Sequence, residues 1–213
     1  VDAGHVMQRV RNLRDTFVGH VLEKVEKIPE EQRICGRARF LTENVIAVGD
    51  DVHIEAKAFV VATGSHPRIP ANFPKDCDRV IVNDDVFDWE ELPRSVAVFG
   101  TGVIGMELGQ ALGRLGVRTT IFGRSGQVSS FSDPELLKAA GKIFRQELTV
   151  YAQPTIHSMT PEDDGVRIKF RSFDGHEHDI HYDFVLSAAG RIPNVAGLEL
   201  QNTSVPLTER GMP

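Results

Sequence analysis

The sequence predicts an α/β protein organised around a parallel sheet, and three observations carry that prediction. Residues 95–125 run from an apolar strand through a glycine-punctuated turn and a helical stretch into a second β-branched strand. Residues 132–151 repeat the sequence of events, a capped helix followed by a short apolar strand. Residues 184–190 then supply one more apolar strand that ends in glycine. Strands that are apolar on both faces and alternate with amphipathic helices belong to a parallel sheet covered by helices.

Each element has its own signal. Residues 2–27 form a long helix, because Val6, Val10, Leu13, Phe17, Val21 and Val25 recur at three- and four-residue steps before Pro29 closes it. Short strands follow at 34–41, 44–48, 52–55 and 57–62, with Gly49-Asp50 as a hairpin signal. Residues 63–74 are rich in proline and glycine and read as an irregular connection, the natural domain boundary. Asn83-Asp84-Asp85 caps a short helix that ends before Pro93. The helix after the glycine turn carries Ile104, Leu108, Ala111, Leu112 and Leu115 on one face. Ser132-Asp133-Pro134-Glu135 opens the next helix with a polar cap, a first-turn proline and an early acid. Its expected apolar face is Leu136, Ala139, Ala140, Ile143 and Phe144. From residue 155 the pattern becomes an antiparallel ribbon, with strands at 166–170 and 177–182 flanking an Asp174-Gly175 turn.

The turn Gly100-Thr101-Gly102-Val103-Ile104-Gly105 carries the chemistry. Gly100 makes a tight strand-to-helix corner, and Gly102 lacks the side chain that would hold a diphosphate off the backbone. Gly105 lets the helix sit against the strand. The unpaired N–H groups at the helix start, and the positive end of its dipole, then face the phosphates. Glycine turns that bind nothing are common in α/β proteins. The strand before and the helix and strand after this one select the dinucleotide-binding reading.

Composition excludes several classes. The 213 residues are 41% hydrophobic and 25% charged with a net charge of −6, and the charges are interspersed. That excludes the clustered basic face of a nucleic-acid binder. Neither a membrane-spanning run nor a signal-peptide pattern is present, so a cytoplasmic location and no membrane partner are expected. Cys35 and Cys77 match no metal or redox spacing and read as reduced core thiols. His176, His178 and His181 with Glu177 and Asp179 read as a solvated hairpin edge rather than a metal site, so no metal is assigned.

In this order the pieces resemble the flavin-dependent pyridine nucleotide-disulfide oxidoreductases, dihydrolipoamide dehydrogenase and its relatives above all. Gly36-Arg37-Ala38-Arg39-Phe40 is similar to the family's G-x-A-x-F strand, and Val60-Val61-Ala62-Thr63-Gly64-Ser65 with Pro67 to its ATGSxP segment. Gly100 through Glu107, followed by Arg114-Leu115-Gly116, is similar to its G-x-G-x-x-G-x-E unit. Asp133-Pro134-Glu135 sits where the family starts its second nucleotide-domain helix. Ala189-Gly190-Arg191-Ile192-Pro193-Asn194 with Gly197-Leu198 is similar to G-R-x-P-N-x-x-G-L. The resemblance covers essentially the whole chain.

The resemblance implies a Rossmann-like three-layer ββα nucleotide-binding domain with a partial second, FAD-binding domain. Residues 1–68 would be part of the FAD domain, 69–190 the NAD(P) domain and 191–213 a return toward the FAD side. Gly100, Thr101, Gly102, Val103, Ile104 and Gly105 would cradle NAD(P)H, Glu107 would face the nicotinamide end, and Gly190 would admit the cofactor at the last strand. Gly36, Thr63, Gly64 and Ser65 would touch FAD. The family's FAD diphosphate turn, C-x-x-x-x-C redox pair and C-terminal His-Glu pair have no counterpart here. The expectation is therefore an internal fragment, with no catalytic residue of its own and incomplete FAD binding. Its parent would be a homodimer passing electrons between NAD(P)H, FAD and a disulfide-type acceptor. A non-disulfide flavin reductase, of the ferredoxin or NADH-peroxide type, and a non-catalytic dinucleotide-binding redox sensor remain the alternatives.

Coenzyme choice is read at the tip of the second strand, where an acid selects NAD and an arginine NADP. The acid position is Gly123, and Arg124 and Ser125 follow it. Arg124 is read either as a 2′-phosphate ligand or as a solvated surface residue. Gly105 points the other way, because NADPH-using relatives often carry alanine there. The missing carboxylate tips the expectation toward NADPH.

Overall fold

The structure is a computed structural model that describes residues 2–128, 131–209 and 212–213. The chain packs as two compact units, one comprising Val1–Asp15 and Pro67–Gly190, the other Thr16–His66 and Arg191–Pro213. Helix α1 (Ala3–Glu26) is shared between them in sequence. Met7 is its buried side chain, whereas Leu13, Phe17, Val21 and Val25 are each 45% or more exposed. The apolar spacing made the helix; it did not dictate that the stripe be covered.

Strands β1 (Ala38–Thr42), β2 (Val45–Val48) and β3 (Val52–Glu55) form an antiparallel meander in that order. Its register sets Phe40 opposite Ile46 and Val48 opposite Val52. Phe40 is buried and meets the Phe59 ring edge-on at 5.4 Å between centroids. Residues 57–62, expected as a further strand, are not one. Val60 is 94% exposed, and no described strand lies beside this segment to complete a backbone ladder. The next strand is β4 (Ser65–Pro67).

The remaining strands are β5 (Val80–Val82), β6 (Ser95–Phe99), β7 (Arg118–Phe122), β8 (Thr149–Tyr151), β9 (Thr155–Glu162), β10 (Gly165–Arg171), β11 (Glu177–Tyr182), β12 (Phe184–Ser187) and β13 (Arg191–Pro193). Helix α2 (Val103–Arg114) links β6 to β7, and α3 (Pro134–Glu147) leads into β8. The short helix expected after Asn83 is a single 3₁₀ turn, Asp85–Asp88. Strands β5, β12, β6, β7 and β8 form a five-stranded parallel sheet in that order. Chain order runs outward from β6 to β7 and β8 on one side, while β12 returns on the other. That reversal is a topological switch point, where α/β sheets hold ligands at the carboxyl ends of their strands.

Side-chain alternation along these strands builds the three layers. Val96 and Val98 of β6, Ile121 of β7 and Leu186 of β12 point to the helices, against Met106, Leu112 and Leu148. Their neighbours Ala97, Phe122 and Val185 point the other way, against Val166, Ile168, Phe170 and Tyr182 of the antiparallel sheet β11-β10-β9. The expected α/β class, Rossmann-like, is the observed one. Helix α3 presents only part of the expected face, Ala140 and Phe144, to the core. Ala140 and Gly141 are buried and Phe144 packs on the core, while Leu136 and Ile143 are 55% and 61% exposed. Among the described residues no helix is long and apolar enough to cross a membrane.

Candidate functional site

Strand ends β6, β7 and β12 meet at the switch point, and backbone bonds lock them together. The Gly100 N–H donates to the Phe122 carbonyl at 2.9 Å, and the Ala188 N–H donates to the Phe99 carbonyl at 2.9 Å. Gly100 adopts φ +136°, which disfavours any side chain, and a Cβ there would lie 2.2 Å from the Ala188 carbonyl oxygen. A Cβ at Gly105 would lie 2.0 Å from the Gly100 carbonyl oxygen and 3.3 Å from the Ala188 Cβ. The first and third glycines are thus demanded by packing between the turn, the helix and β12.

Gly102 differs from both. It is the N-cap of α2, and a Cβ there would meet nothing within 4 Å. Its carbonyl accepts from the Met106 N–H at 3.0 Å, which starts the helix, but it offers no side-chain oxygen to cap the first-turn amides. The consequence is an open concavity at the positive end of a 12-residue helix, with uncapped N–H groups behind it. A diphosphate fits such a place: bare backbone, no competing acceptor and free space where a side chain would stand. Thr101 and Ile104 flank it half-buried, and Val103 is 58% exposed. Glu107 is exposed, one turn further along α2. Gly190, at φ +104°, has open space at its Cβ position, and its carbonyl accepts from the Arg68 N–H at 2.9 Å.

Beyond β7, Gly123 donates its N–H to the Tyr151 carbonyl at 2.8 Å, and Gly126 donates to the Ala152 carbonyl at 3.0 Å. Arg124 and Ser125 stand exposed on the loop between them. A cleft of about 440 Å³ lies beside this loop, lined by Gly126, Ala152, Gln153, Tyr151, Phe173 and Arg145. The Arg145 guanidinium was not singled out from sequence. It sits in the last turn of α3, and no motif marks it.

The second candidate group lies in the other unit. Asn194 donates its Nδ2 to the Thr63 carbonyl at 3.0 Å and its backbone N–H to the Gly64 carbonyl at 2.9 Å. Arg191 Nε donates to the Ser65 hydroxyl at 2.8 Å, and β13 pairs with β4. Thr63, Gly64 and Ser65 are therefore held in place by the segment that resembles G-R-x-P-N. Gly64, at φ +68°, has nothing nearer than 4.0 Å at its Cβ position, which leaves its backbone open on that side. Gly36 stands apart from them, in the bend before β1, where a Cβ would strike Val48 Cγ1 at 2.5 Å.

Cys35 and Cys77 are both free; Cys77 is half-buried and packs against the second core, whereas Cys35 is exposed and is not the core thiol expected. His178 stacks on Phe170 at 4.5 Å and bonds to the Ser172 hydroxyl at 2.9 Å, while His181 faces Asp164 at 3.1 Å. Each imidazole thus has a different neighbour.

Comparison with known proteins matches residues 6–213 to the family described as pyridine nucleotide-disulphide oxidoreductase. The mitochondrial dihydrolipoyl dehydrogenase 1 of Arabidopsis thaliana is 26% identical over 207 residues, which is 93% of this chain and 41% of that protein. A mercuric reductase of Staphylococcus aureus is 30% identical over 179 residues, 84% of this chain and 32% of that protein. Among solved structures, the HOCl-induced flavoprotein disulfide reductase RclA from Escherichia coli superposes with a TM-score of 0.75 at 20% identity. That likeness covers 98% of this chain and 49% of the other. LpdA from Mycobacterium tuberculosis gives 0.63 at 26% identity, covering 83% and 40%. The chain spans less than half the length of these relatives.

Proposed function

The chain belongs to the pyridine nucleotide-disulphide oxidoreductase family, and from that premise we propose that it is the nicotinamide-dinucleotide-binding part of a flavin-dependent oxidoreductase of the dihydrolipoamide dehydrogenase kind. Residues 69–190 act as the dinucleotide domain, with the start of α1 packed in the same unit, and the remainder of residues 1–68 belongs with 191–213 to the flavin side. The observation that carries the reading is the uncapped start of α2 at the switch point, with Gly102 open in front of it. Gly100 through Gly105 hold the coenzyme diphosphate. Glu107 and Gly190 border its nicotinamide end, and Gly36, Thr63, Gly64 and Ser65 border FAD. The chemistry FAD supplies when bound is hydride acceptance from NAD(P)H and onward delivery of electrons to a disulfide-type acceptor, or the reverse. This chain's residues bind and orient, a proximity contribution. The whole protein is a homodimer, and this part of it supplies coenzyme binding.

NADPH is the proposed coenzyme. Gly123 offers no carboxylate to a ribose diol, and exposed Arg124 is free to turn toward a 2′-phosphate. In this chain the close approach of Gly105 to the Gly100 carbonyl makes it a packing residue, and we read it as that rather than as a coenzyme marker. Titration calorimetry with NADPH and NADH tests both levels. The expected result is tighter binding of NADPH, and an Arg124→Glu variant that loses about tenfold of that affinity, the worth of one charge-assisted hydrogen bond. Equal affinity for the two coenzymes removes the preference. Binding of neither removes the dinucleotide reading.

A further inference from the structure

We propose that coenzyme selection in this chain is fixed by a steric plug at the end of β7. Thr101, Gly123 and the Ala152 carbonyl pack so closely that position 123 cannot carry the ribose-binding carboxylate, so the ribose is read from Arg124 and Ser125 instead. The inference rests on the reading above, that the coenzyme diphosphate sits at residues 100–105.

The geometry is specific to this position. A Cβ on Gly123 would stand 2.6 Å from the Ala152 carbonyl oxygen, 3.1 Å from its carbon and 2.9 Å from Thr101 Cγ2. The carbonyl has little freedom to retreat. The peptide before it accepts from Gly123 itself, and the Ala152 oxygen accepts from the Gly126 N–H at 3.0 Å. A side chain at 123 must therefore displace backbone on one side and Thr101 on the other. Glycine here is more than an absent acid, because the three strand ends exclude any side chain.

The second consequence concerns Thr101. It lies between Gly100 and Gly102, so a push on its methyl group is delivered to the turn that faces the diphosphate. The diphosphate is common to both coenzymes. A side chain at 123 should therefore weaken NADPH and NADH by the same factor, rather than exchange one for the other. A charge change at Arg124, on the exposed loop, should alter their ratio and leave the turn intact.

The test is a set of variants of this chain, Gly123→Ala, Gly123→Glu, Thr101→Ser and Thr101→Ser/Gly123→Ala, each read by melting temperature and by calorimetric Kd for NADPH and NADH. Gly123→Ala is expected to lower Tm and to weaken both coenzymes by a shared factor of about fivefold or more, the signature of overpacking. Gly123→Glu is expected to gain no NADH affinity. Thr101→Ser, which removes the opposing methyl, is expected to recover part of the Gly123→Ala loss, so that the two changes couple non-additively. Strict additivity overturns the plug, and so does a Gly123→Glu variant that melts as wild type and binds NADH more tightly. Should Gly123→Ala fail to fold, recovered folding of the double variant assigns the closure to Thr101 and none assigns it to the Ala152 carbonyl, whereas a Gly123→Ala variant that melts as wild type overturns the plug. A wild-type chain without coenzyme preference sinks the NADPH reading and with it the role of the plug in selection, while the melting temperatures and the Thr101–Gly123 coupling decide whether position 123 is sterically closed.

Discussion

Asp183 shows how a single carboxylate ties strand ends together. It accepts from the Arg94 N–H at 2.9 Å and from Arg94 Nε at 3.3 Å. The Ser95 hydroxyl donates to it at 3.2 Å and accepts from the Asp183 N–H at 3.1 Å. Burial resists its ionisation, but the Arg94 and Ser95 bonds together outweigh that cost and hold the carboxyl below its ordinary value. A depressed folded-state value stabilises the fold above the unfolded-state value, and that stability is lost as pH falls through the folded one. Asp183→Asn is therefore expected to cost about 1–2 kcal/mol at neutral pH and to flatten the acid limb of the stability curve. Urea melts from neutral to acid pH check this, and an acid limb superposable on wild type would refute it. Gly105→Ala probes packing at the same scale. A Cβ placed 2.0 Å from the Gly100 carbonyl oxygen should cost about 1–3 kcal/mol in the same assay.

Among the elements, α3 is the clearest lesson. Its start was legible: Asp133 accepts from the Glu135 and Leu136 N–H groups at 2.8 and 3.0 Å, with Pro134 in the first turn. Removing that cap with Asp133→Ala should cost about 1 kcal/mol. Its inward face was not legible. The segment carries two apolar stripes, and periodicity alone does not say which one the sheet takes. The sheet takes the stripe of Ala140, Gly141 and Phe144, continued by Leu148, which leaves Leu136 and Ile143 outside. Equilibrium unfolding should then find Ile143→Lys within about 0.5 kcal/mol of wild type. Leu148→Ala, just past the helix, should lose about 2–4 kcal/mol. Residues 57–62 make the same point for strands, since β-branched residues form a strand only where a neighbour completes the hydrogen-bond ladder.

For the whole molecule, the parallel sheet separates two apolar cores by the alternation of its own side chains, one against α2 and α3 and one against β9–β11. The sheet is thereby fixed on both faces, and its carboxyl edge is left as the exposed rim of rigid strands. Loops placed there, 100–105, 123–126 and 188–190, gain precision from strands that are mostly buried behind them. Backbone bonds from Gly100 to Phe122 and from Ala188 to Phe99 carry that rigidity into the site. The family match over residues 6–213 and the superpositions on the larger RclA and LpdA structures accord with this architecture.

Local chemistry was enough to determine the glycine turn, the cap of α3 and the α/β class. Those rest on short-range rules: periodicity, caps and the residues a tight corner tolerates. Tertiary structure alone decided which stripe of α3 is buried, that residues 57–62 lack a strand partner, and that Arg191 and Asn194 hold the Thr63–Ser65 segment. It alone also showed that Gly123 is wedged between Thr101 and Ala152. Each of these depends on what another part of the chain, remote in sequence, places within a few ångströms, and a linear pattern does not encode that distance.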